Sequence, residues 1–212
     1  MKYAISLATV LVAGLMGVAS AQAQDKPALA FVANGASDFW KAAEAGMKKA
    51  QGELPDYTLE FKYPDQSSDA VQQALMANMA TAGVKAIMVS AVDPKATDVL
   101  DKIAGETALF TTDSDAPQSK RIAYIGSSNE DAGKQAAEIA KKAMPNGGKC
   151  MGFVGLLDAD NYKGRAKGFT EGLAGSNITL VDTKGDNIDQ TRAKANVSDV
   201  LAANTTGAGV SF

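Results

Sequence analysis

Apolar residues along the chain follow two alternating rhythms: short runs that suit buried strands, and longer stretches with apolar positions every three or four residues that suit helices. Residues 28–33 are the first short run. Asp38 then opens a helical stretch carrying Phe39, Trp40, Ala43, Met47 and Ala50, closed by Pro55. Residues 57–63 alternate as a strand, after which Ser68 and Asp69 can cap a helix bearing Val71, Leu75, Met76 and Met79 that Gly83 ends. A strand over residues 84–89 follows. Pro94 suits a first helical turn, and Val99, Leu100 and Ile103 form the face of a short helix ending at Gly105. Further strands are predicted over residues 107–111 and 121–125.

The theme then restarts. Ser128 or Asn129 caps the strongest helical pattern, with Ala132, Ala136, Ile139, Ala140 and Ala143 on one side, and residues 144–148 break it. A strand over 149–154, a helix over 162–173, a strand over 178–182 and a helix over 189–203 complete the pattern. Alternation of this kind predicts an α/β fold of doubly wound parallel sheets with right-handed crossovers. Gly126-Ser127-Ser128 separates two such units and offers small residues that can absorb rotation, so it is the candidate hinge. The expected organisation is residues 24–126 as an N-terminal lobe and 127–212 as a C-terminal lobe. Residues 207–212 look like the start of another strand, and three strands cannot cover both faces of such a sheet, so the second lobe is expected to be incomplete, a truncation.

Residues 1–23 read as a secretory signal: Lys2, a weakly apolar stretch from Ala4 to Val18, and the small-x-small triplet Ala21-Gln22-Ala23. A membrane anchor is the alternative, but the stretch is diluted by Ser, Thr, Gly and Ala and lacks a basic stop-transfer flank. Export to the periplasm is the expectation. The net charge of −3 and the lack of a basic tract argue against nucleic acid as a partner. Cys150 is the only cysteine, so no intramolecular disulfide can form; its apolar surroundings mark it as a small buried hydrophobe. There is no histidine, which excludes Ser-His-Asp and Cys-His catalysis and disfavours a zinc or iron site. Neither a metal nor a cofactor is expected.

In open parallel sheets, ligands sit outside the carboxyl ends of the strands, so the strand-end loops hold the candidate chemistry. After the first strand come Ser37, Asp38, Phe39 and Trp40. Helical neighbours point about 100° apart, so at most one of Phe39 and Trp40 can face the core well and the other is free to stack on a ligand. Trp40, the only tryptophan, has a face suited to a sugar ring, the alternative being an aromatic packed under a loop. Ser90 either contacts ligand or helps cap the next helix. Asp113, in the polar run from Thr111 to Asp115, can accept hydrogen bonds from vicinal hydroxyls, while Asp115 reads as a turn residue. Arg165 lies four residues after Asn161, so both can point to one opening, and its rigid fork suits hydroxyls or Asp113 across a cleft; an exposed salt bridge is the alternative. Residues 185–189 leave a later strand, with Asp189 a plausible helix cap.

No G-x-G-x-x-G follows the first strand, and residues 126–134 fail the P-loop spacing, with Gln135 where Ser or Thr belongs. Instead the chain resembles, from Ala28 to Phe212, the periplasmic sugar-binding proteins of bacterial ABC importers, of the ribose-binding type. The resemblance rests on Ser37-Asp38-Phe39-Trp40, Gly83 to Ile87 ahead of Ser90, Thr112-Asp113, Tyr124 to Asn129, and Asn161 to Arg165 with Gly168-Phe169. It implies a non-enzymatic, monomeric two-lobed protein that closes over a sugar or polyol and presents it to a membrane permease. It further implies Phe39 and Trp40 as sugar-stacking aromatics, Asp113 and Arg165 as principal polar ligands, and Ser37 and Ser90 at contact positions. Relatives often carry Asn where Ser90 stands and Arg where Ser114 stands. A chemoreceptor on the same fold, a Rossmann-like enzyme and a repressor core are the rival readings; the missing glycine fingerprint, the lack of histidine and the N-terminal signal disfavour the last two.

Overall fold

The computed structural model of the chain describes residues 26–204. The expected signal over 1–23 and the expected strand start over 207–212 lie outside the described residues. Strands and helices alternate: β1 (Ala28–Val32), α1 (Asp38–Gln51), β2 (Thr58–Lys62), α2 (Asp69–Thr81), β3 (Ala86–Val89), α3 (Thr97–Glu106), β4 (Ala108–Thr111) and β5 (Ala123–Tyr124). Then follow α4 (Asn129–Ala143), β6 (Gly148–Val154), α5 (Asp160–Gly172), β7 (Ile178–Gly185) and α6 (Gln190–Asn204). The first sheet is parallel throughout with order β2-β1-β3-β4-β5; the second pairs β6 with β7, also in parallel. In the first sheet β1 is flanked by β2 and β3, so the chain winds outward in both directions from it. The loops leaving β1 and β3 part at that point and open a crevice at their carboxyl ends.

Burial on both faces explains the apolar strand runs. Val32, Ile87, Val89 and Leu109 are fully buried from the first sheet, with Met76 from α2 and Leu100 and Ile103 from α3 packed over them. The helices start and stop for local reasons. Ser68 accepts the Val71 amide at 3.3 Å and Ser128 accepts the Asp131 amide at 3.2 Å, as N-caps do. Gly83 ends α2 in the left-handed region at φ 84. Pro94 does not open α3: Asp93 Oδ1 accepts the Lys95 amide at 2.9 Å, holding residues 94–95 in a turn, and the helix begins at Thr97.

The second unit packs differently from its expected pattern. The buried face of α4 is Gly133 and Ala137; Ile139 is 68% exposed, and of the predicted stripe only Ala140 packs against the small core of Ala137, Leu173 and Ile178. The cause is α5, which comes so close that the contact line falls on glycines and not on bulk. A Cβ on Gly168 would lie 1.9 Å from the Glu130 carbonyl oxygen, and one on Gly133 would lie 2.1 Å from that of Arg165. Cys150 is half-buried beside this core, and burial raises its thiol pKa.

These approaches generate a paired prediction. Gly168→Ala is expected to destabilise the protein by about 1–3 kcal/mol, because the obstacle is backbone. Gly46→Ala, on α1 with nothing within 4 Å of the added methyl, is expected to stabilise by about 0.5–1 kcal/mol through helix propensity. Urea unfolding of the two variants measures both.

Candidate ligand-binding cleft

The carboxyl ends of β1, β3 and β4 face the loops that lead from β6 into α5 and from β7 into α6. Asp113, just after β4, joins the two sides. It sits in the left-handed region at φ 57, a conformation Asp tolerates better than most residues. Its Oδ2 accepts hydrogen bonds from Ser90 Oγ at 2.9 Å and from Asn161 Nδ2 at 3.0 Å. Its backbone carbonyl accepts from Asn129 Nδ2 at 2.9 Å. Asn129 Oδ1 in turn accepts from Arg165 Nε at 3.0 Å. A chain of hydrogen bonds therefore runs from the loop after β3 through Asp113 to α4 and α5.

Arg165 thus does not pair with Asp113. Asn161 reaches that carboxylate from the start of α5, and Arg165, one turn further on, is held by Asn129 instead; among the described residues its two terminal nitrogens have no protein hydrogen bond. The alternative of a surface ion pair for Arg165 does not occur among the described residues. Asn161 and Arg165 do share one opening, a 370 Å³ cavity that Asn34, Tyr162 and Ile188 also line.

The other expected residues do not line this cavity. Trp40 is 4% exposed and turned inward, its ring 5.4 Å from that of Phe31, and its indole N–H donates to Asn34 Oδ1 at 2.8 Å. Phe39 is 65% exposed, so of the two aromatics the ring free to meet a ligand is Phe39. Trp40 instead fixes the Asn34 side chain: with Oδ1 committed to the indole, Asn34 has its amide NH₂ to offer. Ser37 lines a neighbouring cavity of 620 Å³ with Asp38, Glu44 and Tyr63. Ser90 is fully buried and serves Asp113, not the following helix, whose N-cap Ala96 has no side-chain capping bond.

Asp115 is more than a turn residue. Its carboxylate forms a two-pronged pair with Arg121, at 2.5 Å to Nε and 2.6 Å to Nη2, and accepts the Thr111 hydroxyl and the Ala116 amide. Burial alone would raise its pKa, but Arg121, Thr111 and Ala116 together hold it below the usual carboxylate range. Beside it, at the start of α5, the Asp160 amide donates to the buried Ser114 Oγ at 3.1 Å across the seam between the sheets. Burial, and then the charge of Asp115, push the Asp160 pKa up.

Three contributors were not singled out by the pattern. Gln72 on α2 is 2% exposed; its Nε2 donates to the carbonyls of Ala33 at 2.9 Å and Ser90 at 2.8 Å, and its Oε1 accepts the Val92 amide at 3.0 Å. The signal was a polar residue at the helical spacing of Met76 and Met79. Asn129 looked like a cap, a role Ser128 takes. Ile188 is in the left-handed region at φ 63 next to Asn187 at φ 56, and for a β-branched residue this costs about 1–3 kcal/mol. Nothing in the sequence marks it. At the candidate hinge, Tyr124 Oη donates to the Ser127 carbonyl at 2.9 Å, and a Cβ on Gly126 would lie 2.5 Å from that hydroxyl. Asp189, as expected, caps α6 by accepting the Arg192 amide at 2.7 Å.

Compared with known proteins, the sequence matches the periplasmic binding protein domain over residues 29–211. It is 28% identical over 208 residues to the fructose import binding protein of Bifidobacterium longum, covering 93% of this chain and 63% of that protein. To the ribose import binding protein of Haemophilus influenzae it is 24% identical over 205 residues, covering 96% and 69%. A solute-binding protein of an ABC transporter from Burkholderia graminis, solved in complex with D-arabinose, superposes with a TM-score of 0.79 at 28% identity, over 85% of this chain and 63% of that one. One from Agrobacterium vitis with bound D-fucose gives 0.76 at 25% identity, over 84% and 64%. The chain thus spans under two thirds of the length of the fructose-import relative and of both solved proteins.

Two predictions follow from the seam. Arg121→Met is expected to cost about 3–5 kcal/mol, because Asp115 is left buried and unpaired, and adding Asp115→Asn should restore much of the loss. Since the Asp115 pKa is depressed in the fold, the pair's contribution is fully present above the ordinary aspartate value of about 4 and is lost as pH falls through the lower folded value. Thermal melts from about pH 7 to about pH 3 should therefore show the wild-type advantage shrinking only at the acid end. Asp160 has the opposite sign: its raised pKa means the charged form costs stability above the folded value. Asp160→Asn should raise the melting temperature at neutral pH and lose that gain below about pH 4.

Proposed function

The chain belongs to the periplasmic binding protein domain family, and from that premise we propose that it is a non-enzymatic solute-binding component of an ABC importer that captures a monosaccharide or related polyol between two lobes. The observation that carries the reading is that Asn34 from the first sheet lines one cavity with Asn161 and Arg165 from the second unit, while Asp113 from the first sheet accepts a hydrogen bond from Asn161. Donors and acceptors arranged in this way fit a ligand that is itself covered with hydroxyls. Amide and guanidinium N–H groups donate to hydroxyl oxygens, a carboxylate accepts from hydroxyl hydrogens, and the exposed Phe39 ring can cover an apolar C–H face. The sugars bound by similar proteins, D-arabinose and D-fucose among them, agree with this chemistry.

In this reading, ligand hydroxyls compete for the bonds that now join Asp113 to Asn161 and Arg165 to Asn129. Ser90 and Ser37 act as supports, Ser90 by holding the Asp113 carboxylate. Trp40 acts through Asn34. Residues 24–126 and 127–212 act as the lobes, and 126–128 as the hinge; two sheets without a common strand support that division. Export to the periplasm, action as a monomer and docking to a membrane permease belong to the same proposal.

Calorimetry across pentoses, hexoses and polyols tests it. One monosaccharide class should bind, and Asp113→Ala and Arg165→Ala should each weaken it about 10- to 150-fold, the equivalent of about 1.5–3 kcal/mol for a hydrogen bond to a charged group. Unchanged affinity in both variants would refute the site.

A further inference from the structure

Between the two units lie two neighbouring cavities, 370 Å³ beside Asn161 and Arg165 and 620 Å³ beside Ser37 and Tyr63, and among the described residues Ile188 is the one that lines both. Its side chain is wedged between glycines from either side of the cleft. A Cβ on Gly35, from the loop after β1, would lie 2.9 Å from Ile188 Cδ1, and one on Gly155, at the end of β6, would lie 3.1 Å from Cγ1. Both neighbours lack the carbon that would crowd it, although an added carbon on Gly35 would meet Ser67 Oγ first, at 2.1 Å.

The backbone beneath is held against its preference. Asn187 and Ile188 are both left-handed, at φ 56 and φ 63. Asn adopts this region readily, whereas a β-branched residue there is an outlier that persists only when its surroundings over-determine it. The surroundings do so: the Asn187 amide donates to the Gly155 carbonyl at 2.7 Å, and the Ile188 amide donates to Asp186 Oδ1 at 2.8 Å. After it the Asp189 amide donates to the Asp186 carbonyl at 3.1 Å, so the loop is pinned on both sides of the strained residue, with its branched apolar side chain between the glycines.

We propose that Ile188 is a partition that sets ligand length, confining the ligand to the single-ring compartment beside Arg165 and closing off a second compartment able to hold another sugar unit. The second compartment has the chemistry for one, with Ser37, Glu44, Tyr63 and Gln190 offering hydroxyl, carboxylate and amide groups around it. This inference rests on the sugar-binding reading above and adds to it a residue that separates mono- from disaccharides.

The test compares affinities for D-arabinose, D-galactose, D-glucose and D-fructose with those for lactose, melibiose, maltose and sucrose, in the wild type, Ile188→Gly and Ile188→Phe. Glycine adopts the left-handed conformation freely and removes the wedge. The disaccharide-to-monosaccharide affinity ratio should rise at least about tenfold in the glycine variant, a change of about 1.4 kcal/mol, and should not rise in the phenylalanine variant. An unchanged ratio in Ile188→Gly, or a wild type that takes disaccharides as tightly as monosaccharides, overturns the proposal. If the wild type binds none of these sugars, the sugar-binding reading fails, and a crystal structure of Ile188→Gly decides the partition by itself. One continuous volume sustains it, and two separate volumes overturn it.

Discussion

The arrangement of the cleft depends on one left-handed residue. Because Asp113 turns back at the end of β4, both its carboxylate and its carbonyl are available to other elements, and the loop after β3, α4 and α5 each supply a donor. Two sheets with no common strand are brought together here by polar groups and not by a shared apolar core. That choice matters energetically. Hydrogen bonds to a charged group contribute about 1.5–3 kcal/mol each, yet they are made equally well by water or by a polyhydroxylated guest. A seam of this kind can separate and re-form, which an extensive hydrophobic contact does not do readily.

Buried polar side chains hold the rim still. Gln72 ties together the carbonyls that follow β1 and β3 at the place where the sheet's winding changes direction, so the two loops leave from fixed points. Trp40 does the same for Asn34, and the Asp115–Arg121 pair anchors the polypeptide between β4 and β5. Each group is satisfied, which is the condition under which buried polarity rigidifies a structure.

Strand and helix alternation was legible in the sequence because parallel strands buried on both faces leave unbroken apolar runs, and α2, α4 and α6 start at side-chain caps. Asn161 and Arg165 were legible as a pair because helical spacing alone puts them on one side. What the pattern could not carry was partner choice. Arg165 and Asn129 lie 36 residues apart, and their pairing depends on how α5 meets α4. The face of α4 was misread for a related reason: apolar size usually marks the buried side, but here the absence of side chains at Gly133 and Gly168 admits the neighbouring backbone. The inward turn of Trp40 was open between two neighbours, and Asn34 decided it. Ile188 had no signature, since its backbone conformation is imposed by bonds to Gly155 and Asp186.

The close seating of α4 on α5 has a mechanical meaning. Helices that touch backbone to backbone have no flexible side chains between them to cushion displacement, so they respond to torque as a single lever. Residues 126–128 attach directly to that lever through α4. In the two-lobed reading proposed above, a few degrees of twist there would swing Asn161 and Arg165 in unison, without slack, so that a hold on a guest would be transmitted from residues 126–128 and not assembled one side chain at a time.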